Sequence, residues 1–242
     1  MKAASGLLTK PVFPLTWGLN PMPNRAPERC RPSPMSRLDA FGSAIYDNPL
    51  LSANLQRTIH KLYETACYSE NAQVYNLVLT FEEHAFFRLA TCEVEHTLLT
   101  YPFDSPPLHP IEAAVRVCTI CYINYFLIKS PPSSGLGRAL TKHTVKVVKD
   151  CFQVLHSVPQ DNYHLITWAL FVGSLGSVGQ IEHSWFLDNL TRFLLLCGWY
   201  TWDLSYAYLT RYIYIPHVHD RDWETLWYQI MGSFFPRYAL TQ

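Results

Sequence analysis

The chain has 242 residues, of which 49% are apolar or aromatic, and its 19 lysine and arginine residues are balanced by 19 acidic ones. A chain of this length and apolar content can bury one sizeable core without disulfide or metal staples. The charges are unevenly placed, since residues 1–38 carry a net charge of +5 and the remainder about −5. The body is therefore a poor surface for the phosphate backbone of nucleic acids.

Seven of the 17 prolines fall within the first 37 residues. Proline interrupts helices and central strands, so we predict a disordered, basic, Pro-rich arm over residues 1–37 and a helical domain over residues 38–242. The start has no apolar core long enough for a secretory signal, because Lys10, Pro11 and Pro14 interrupt it. A mitochondrial presequence is an alternative that the basic start leaves open, although the prolines oppose the amphipathic helix it needs.

After the arm, the apolar residues follow helical spacing. A first stripe consists of Leu50, Leu51, Leu55, Ile59 and Leu62, and residues 74–99 carry one or two further helices. Pro110 opens a helix with one apolar face, formed by Ile111, Ala114, Val115, Cys118, Cys121, Tyr122 and Tyr125.

The second half continues with helices. We predict a loop over residues 130–137, a helix over 138–156, and then a helix capped by Asp161 or Asn162. Ser184 is predicted to cap the next helix and Gly198 to end it, followed by helices over 202–213 and 220–231. With no strand pattern, the fold class is all-α, an irregular bundle of about eight helices. Its C-terminal helices are expected to be held together by the buried side chains of Trp168, Val172, Trp185, Phe186 and Trp227.

The longest apolar stretch, residues 165–178, has 14 residues and includes three hydroxyl side chains. Spanning a bilayer takes roughly 20 apolar residues. We therefore expect no contact with a membrane.

Three local patterns invite a chemical interpretation. Cys118 and Cys121 form a CxxC pair, but no second pair lies nearby for the four ligands of zinc, so we interpret both as core residues and expect no bound zinc.

The seven cysteines are an odd number with mostly wide gaps, which predicts buried thiols in a reducing compartment rather than disulfides.

The second pattern, PHVHDRDWE at residues 216–224, could indicate a metal or acid–base site. We interpret it instead as a solvated loop in which Asp220 caps the last helix. The third, GSLGSVG at residues 173–179, lacks the lysine of a phosphate-binding loop. We predict that Gly173 and Gly176 let two helices approach closely.

Segments of the C-terminal half follow one another in a suggestive order. HPIEAAVRVCTICYINYFL is followed by a loop rich in proline and glycine, an amphipathic helix, LITWALFVGSLGSVGQIEHSWFLDNL and finally WETLWYQI. In this order, and in their apolar, aromatic and small residues, these segments resemble the regulatory domain of fungal zinc-cluster transcription factors. The resemblance covers residues 109–232, a little over half of the chain, and argues fold more strongly than function.

The resemblance implies a nuclear regulator of RNA polymerase II genes that acts through other transcription factors or the transcriptional machinery, with a small-molecule effector. Members of the family usually carry six closely spaced cysteines that wrap two zinc ions beside a helix that enters the major groove. Here the cysteines are up to 46 positions apart. We therefore expect no DNA-binding module in this chain and no direct sequence-specific DNA binding.

A small helical enzyme or ligand carrier of fungal secondary metabolism is the alternative, and a peripheral scaffold is the third candidate. The sequence contains neither the GxSxG elbow of hydrolases nor the paired carboxylates that hold magnesium in terpene cyclases. We expect no enzyme activity, and we assign no catalytic, cofactor-binding or metal-ligating residue and no cofactor. Most of the 7 Trp, 15 Tyr and 13 Phe are expected to pack between helices, the alternative being that some line an effector pocket or partner groove.

Overall fold

A computed structural model describes residues 2–11, 37–76, 78, 80–103 and 107–238. Within these residues the chain is helical and contains no strand, which confirms the all-α prediction. Eight helices have eight residues or more, as predicted, and two are shorter. The helices are α1 (Lys2–Leu7), α2 (Ser43–Tyr46), α3 (Ala53–Val74), α4 (Phe81–Thr100), α5 (Pro110–Tyr122), α6 (Gly135–Val154), α7 (Asp161–Gly176), α8 (His183–Leu196), α9 (Trp202–Leu209) and α10 (Pro216–Tyr238).

Helix α5 lies in the centre of the bundle. It starts as predicted with Pro110 in its first turn, and the side chain of His109 accepts a hydrogen bond from the amide of Ile111. The predicted apolar face is buried, but the residues between its members are buried too, except the half-buried Ala113, because α4, α6 and α7 pack around the helix. A π-helical turn, Ile123–Leu127, continues it.

Two polar side chains of the α5 region have hydrogen-bond partners in the core, whereas the buried hydroxyl of Tyr122 has none. Arg116 donates from Nη1 to the carbonyl oxygen of Leu98 at 3.0 Å. The amide of Asn124, in the π-helical turn, donates to the buried carboxylate of Glu95 at 2.8 Å. A buried polar group that lacks such a bond destabilises a fold by a few kcal/mol, so these contacts fix how α5 sits against α4.

The two glycines of α7 allow its close approach to neighbouring elements, as predicted. A Cβ built on Gly173 would lie 2.1 Å from the ring of Phe186 on α8. A Cβ on Gly176 would lie 2.1 Å from the ring of Tyr125, in the π-helical turn after α5. Real carbon atoms do not approach so closely, so only glycine fits at either position.

Several helix ends differ from the predictions. The residue before α7, Gln160, makes no side-chain cap, and Asn162 inside the helix instead accepts a hydrogen bond from the side chain of Asn48 at 2.9 Å. Helix α8 begins at His183, one residue before the predicted cap Ser184, which therefore lies in the first turn. Its predicted end is confirmed, since Gly198 follows with a φ of +74°.

The start of the predicted arm is helical. Helix α1 packs against α6, and the carbonyl oxygen of Gly6 lies 3.0 Å from Nε2 of His143. The prediction of disorder was therefore wrong for residues 2–7, which precede the first proline, Pro11. Residues 12–36 of the predicted arm lie outside the described residues.

Four of the five side chains predicted to hold the C-terminal helices together are buried: Trp168, Val172, Phe186 and Trp227. The fifth, Trp185, is only partly buried, which corrects the prediction. It stands at the edge of the buried stripe of α8, with Nζ of Lys149 5.5 Å from its ring centroid. None of the described helices is both long and apolar enough to cross a membrane.

Replacing Gly173 by alanine is expected to lower the free energy of unfolding by about 1 to 3 kcal/mol, the usual cost of forcing extra carbon into a packed core. Urea denaturation measures this difference. The matched control is Gly135→Ala in the first turn of α6, where an added Cβ meets no atom within 4 Å. Equal effects of the two substitutions would contradict the close packing of α7 against α8.

Candidate functional site

The CxxC pair lies in the core, as predicted. Cys118 and Cys121 are both buried, and Sγ of Cys121 lies 3.1 Å from the hydroxyl of Thr144. Burial raises the pKa of the Cys121 thiol to about 12, although the hydrogen bond with Thr144 acts in the opposite direction. Both cysteines therefore stay protonated and serve packing.

The part of the chain that the structure describes contains no group of three or more His, Cys, Asp or Glu side chains arranged to hold a metal ion. The expectation that the chain binds no zinc stays a prediction for elemental analysis.

The PHVHDRDWE pattern lies in a helix. The prediction of a solvated loop, with Asp220 as the cap of the last helix, was therefore wrong. Helix α10 begins at Pro216, four residues earlier, because proline favours the first turn of a helix. Asp220 accepts hydrogen bonds from the hydroxyl of Tyr214 and from the guanidinium of Arg37, both at 3.0 Å. Pro216 is the sequence signal that identifies this start.

His219 of the same pattern is completely buried among aromatic rings. Its Nδ1 accepts a hydrogen bond from the amide of Ile215, just before α10, at 2.9 Å. Its Nε2 has no hydrogen-bond partner. Desolvation lowers the pKa of His219 to about 3, against a smaller opposing effect of the Ile215 carbonyl oxygen, which lies 2.8 Å from the same Nδ1. The surrounding rings are those of Tyr122, Phe126, Phe171 and Tyr214.

One hydroxyl–imidazole pair has the composition of a nucleophile and its base. Oγ of Ser177 lies 3.2 Å from Nδ1 of His183. Ser177 is fully buried, however, and both groups also lie 3.1 Å from the carbonyl oxygen of Ser174. This geometry stabilises the turn between α7 and α8 and gives no substrate access to the hydroxyl.

A surface cleft with a volume of about 390 Å³ is the candidate functional site. Its walls come from three segments that are far apart in the sequence: residues 44–49 in and after α2, 159–164 around the start of α7, and 208–212 at the end of α9 and after it. This volume lies within the range of about 300 to 1,000 Å³ typical of small-molecule sites.

Hydrogen bonds between the three segments fix the walls of the cleft. The amide of Ala44 donates to the carbonyl oxygen of Arg211 at 3.0 Å. The carboxamide of Asn48 donates to that of Asn162 at 2.9 Å. The cleft is thus held by the fold rather than formed by a single loop.

The aromatic lining of the cleft is anchored in the core. The ring of Tyr208 stacks on buried Trp199 with centroids 5.0 Å apart, and the ring of Tyr212 stacks on Trp168 at 6.0 Å. His164 contacts both Trp199 and Tyr208, with centroid distances of 5.3 and 4.7 Å. These rings give the cleft a rigid floor.

Burial and neighbouring charges shift the pKa values of two side chains in the cleft, His164 and Tyr212. Desolvation lowers the pKa of His164, Arg211 lowers it further, and Asp161 opposes both. The imidazole is therefore neutral at pH 7. Desolvation also raises the pKa of the Tyr212 hydroxyl, against the opposing charge of Arg211.

No sequence pattern pointed to this cleft, and no pocket residue was assigned from the sequence. The segments that form it are more than 40 residues apart from one another along the chain, so no local motif contains them. No protein family model matches the chain, and no curated protein or solved structure matches it either.

In the native protein, Cys118 and Cys121 are expected to resist a maleimide, because a buried thiol with a raised pKa forms little reactive thiolate. The partly exposed Cys92 and Cys197 are expected to react first. Peptide mass spectrometry identifies the labelled residues, and labelling in urea serves as the control in which all thiols react. Native labelling of Cys118 or Cys121 as fast as that of Cys197 would contradict their place in the core.

The free energy of unfolding is expected to fall at acidic pH because of His219. Its folded pKa of about 3 lies below its ordinary value of 6.5, so below pH 6.5 only the unfolded chain takes up this proton. The stability lost approaches about 1.4 kcal/mol per pH unit between pH 6 and 4.

Urea denaturation at several pH values compares the wild type with His219→Phe, which is expected to have a shallower pH dependence. The control His84→Phe replaces an exposed histidine and should keep the slope of the wild type. If His219→Phe keeps that slope too, His219 does not remain neutral in the folded chain.

Proposed function

We propose that this chain is a helical regulatory domain of transcription, of the fungal zinc-cluster factor type, that acts through protein partners and without its own DNA-binding module. In this proposal it works in the nucleus on RNA polymerase II genes, and the cleft at residues 44–49, 159–164 and 208–212 takes a small effector. The sequence resemblance over residues 109–232 supports the transcriptional part. The cleft supports the part of the proposal that concerns a small effector.

The position of the cleft supports a regulatory effect of ligand binding. An effector there would contact segments from both ends of the described domain, which are joined by the bonds of Ala44 to Arg211 and of Asn48 to Asn162. A ligand that binds one arrangement of these segments better stabilises that arrangement. Binding in the cleft would in this way change the surface that a partner meets.

The side chains of the cleft favour binding over catalysis. Among the residues that the structure describes, the imidazole of His164 makes no hydrogen bond to a carboxylate that would orient it or to a hydroxyl that it would activate. Nucleophilic catalysis needs such a pair within hydrogen-bond reach. We therefore propose an effector site rather than an active site, with ligand carriage as the alternative function for the same cleft.

The charge distribution supports indirect action on DNA. Outside residues 1–38 the chain carries about −5 charges, which repel the phosphate backbone that supplies most nonspecific affinity. Contact with promoters would come through a partner protein.

A DNA-selection experiment at physiological salt is expected to enrich no sequence motif with the purified chain. An enriched motif would overturn the prediction that the chain does not read DNA itself.

Fused to an unrelated DNA-binding module, the chain is expected to change reporter output in a fungal nucleus. Arg211→Ala in the cleft is expected to weaken this effect, whereas the control Arg192→Ala, an exposed arginine of α8 outside the cleft, should not. Reporter output that the fusion leaves unchanged would contradict the transcriptional role, and ligand binding in the cleft would then support a carrier.

A further inference from the structure

Several polar groups of the cleft have no protein partner, although the walls around them are hydrogen bonded. The carboxylates of Asp47 and Asp161 and the guanidinium of Arg211 form no hydrogen bond or ion pair with any residue that the structure describes. They surround one opening, so a ligand with complementary charges could engage all three.

Tyr212 is a fourth such group, and it is nearly enclosed. Only 4% of the residue is exposed, its ring is stacked on Trp168, and its hydroxyl has no hydrogen-bond partner among the described residues. Tyr212 lines the cleft together with Arg211 and Asp161. Its hydroxyl is not one of the buried polar atoms that lack a partner, so it faces the solvent of the cleft, where a ligand would donate or accept a hydrogen bond.

We propose that the effector of this cleft is a basic amino acid, a compound with one carboxylate and two cationic groups, of the chemistry of lysine. This inference rests on the proposed function, in which the cleft is the effector site. Two carboxylates and one guanidinium give the site a net charge of −1 when His164 is neutral. A basic amino acid has the opposite charge in each of the three places.

Each of the three charges comes from a different wall of the cleft. Asp47 follows α2, Asp161 begins α7 and Arg211 follows α9. In the proposed arrangement the α-carboxylate and α-ammonium of the amino acid bind Arg211 and Asp161, and the distant cation of its side chain binds Asp47.

Other small ligands would pair with fewer of the three charged groups of the cleft. A dicarboxylate or a phosphate would pair with Arg211 but meet the like charges of Asp47 and Asp161, which disfavour it. A neutral amino acid would leave Asp47 without a partner, and a diamine would leave Arg211 without one. Arginine presents two parallel N–H groups that suit a carboxylate, which favours a ligand that carries one.

Isothermal titration calorimetry of the full chain tests the proposal with four probes at the same ionic strength. L-lysine is the proposed class, L-norleucine lacks the distant cation, cadaverine lacks the carboxylate, and 6-aminohexanoate lacks the α-ammonium. Lysine is expected to bind at least tenfold more tightly than each of the others. Equal affinities for lysine and norleucine, or for lysine and cadaverine, would overturn the proposal.

Substitutions in the cleft test which side chain binds which charged group of lysine. Asp47→Asn should reduce the preference for lysine over norleucine at least threefold, and Arg211→Gln should reduce the preference for lysine over cadaverine by a similar factor. Tyr212→Phe keeps the ring stacked on Trp168 and should weaken lysine binding several-fold. The control Arg192→Gln, outside the cleft, should change none of these ratios. Circular dichroism confirms that each variant is folded, and ratios unaffected by Asp47→Asn and Arg211→Gln would contradict the assignment.

The failure of this inference can be distinguished from the failure of the proposed function. If none of the four probes binds, but a screen of metabolites finds a compound whose stabilising effect on the chain is lost in Arg211→Gln, the ligand class is wrong and the effector site stands. If lysine binds as expected but the tethered reporter does not respond, the ligand class stands and the transcriptional role fails.

Discussion

The burial of α5 on all sides is the constraint on which the rest of the bundle depends. A helix surrounded in this way cannot send its polar side chains to solvent, so their burial is costly unless they find a partner in the core. Arg116 reaches a carbonyl oxygen of α4, and Asn124 reaches the carboxylate of Glu95. The same burial requires neighbours on every side, and α7 comes close to the turn after α5 because Gly176 leaves room for the ring of Tyr125.

The aromatic residues extend this core to the C-terminal helix. The imidazole of His219 reaches back to the amide of Ile215 and contacts rings from the α5 region, from α7 and from the segment before α10. His219 therefore caps the start of α10 and anchors that helix to the centre of the bundle. The rings of Trp168 and Trp199 continue the same core toward the cleft, where Tyr212 and Tyr208 stack on them. The floor of the candidate site is in this sense an outer layer of the core.

The sequence predicted the helices but not all of their ends. Apolar spacing identifies a helix because 3.6 residues per turn bring its apolar residues to one side, and Leu55, Ile59 and Leu62 of α3 are buried as their spacing indicated. Asp220 and Ser184 were assigned as caps because their residue types favour that position, yet Pro216 and the turn before α8 set the real starts. The cleft could not be predicted, because its three walls meet only through tertiary contacts.

The hydrogen bond between Ala44 and Arg211 joins positions about 170 residues apart. Closing a loop of that length costs conformational entropy before any contact offsets it, and folds rich in such distant contacts form slowly. During synthesis, the segment around Ala44 leaves the ribosome before Arg211 has been made, so the walls of the cleft cannot meet until residues 208–212 have been synthesised. The cleft is therefore completed only after every helix from α1 to α9 has been made.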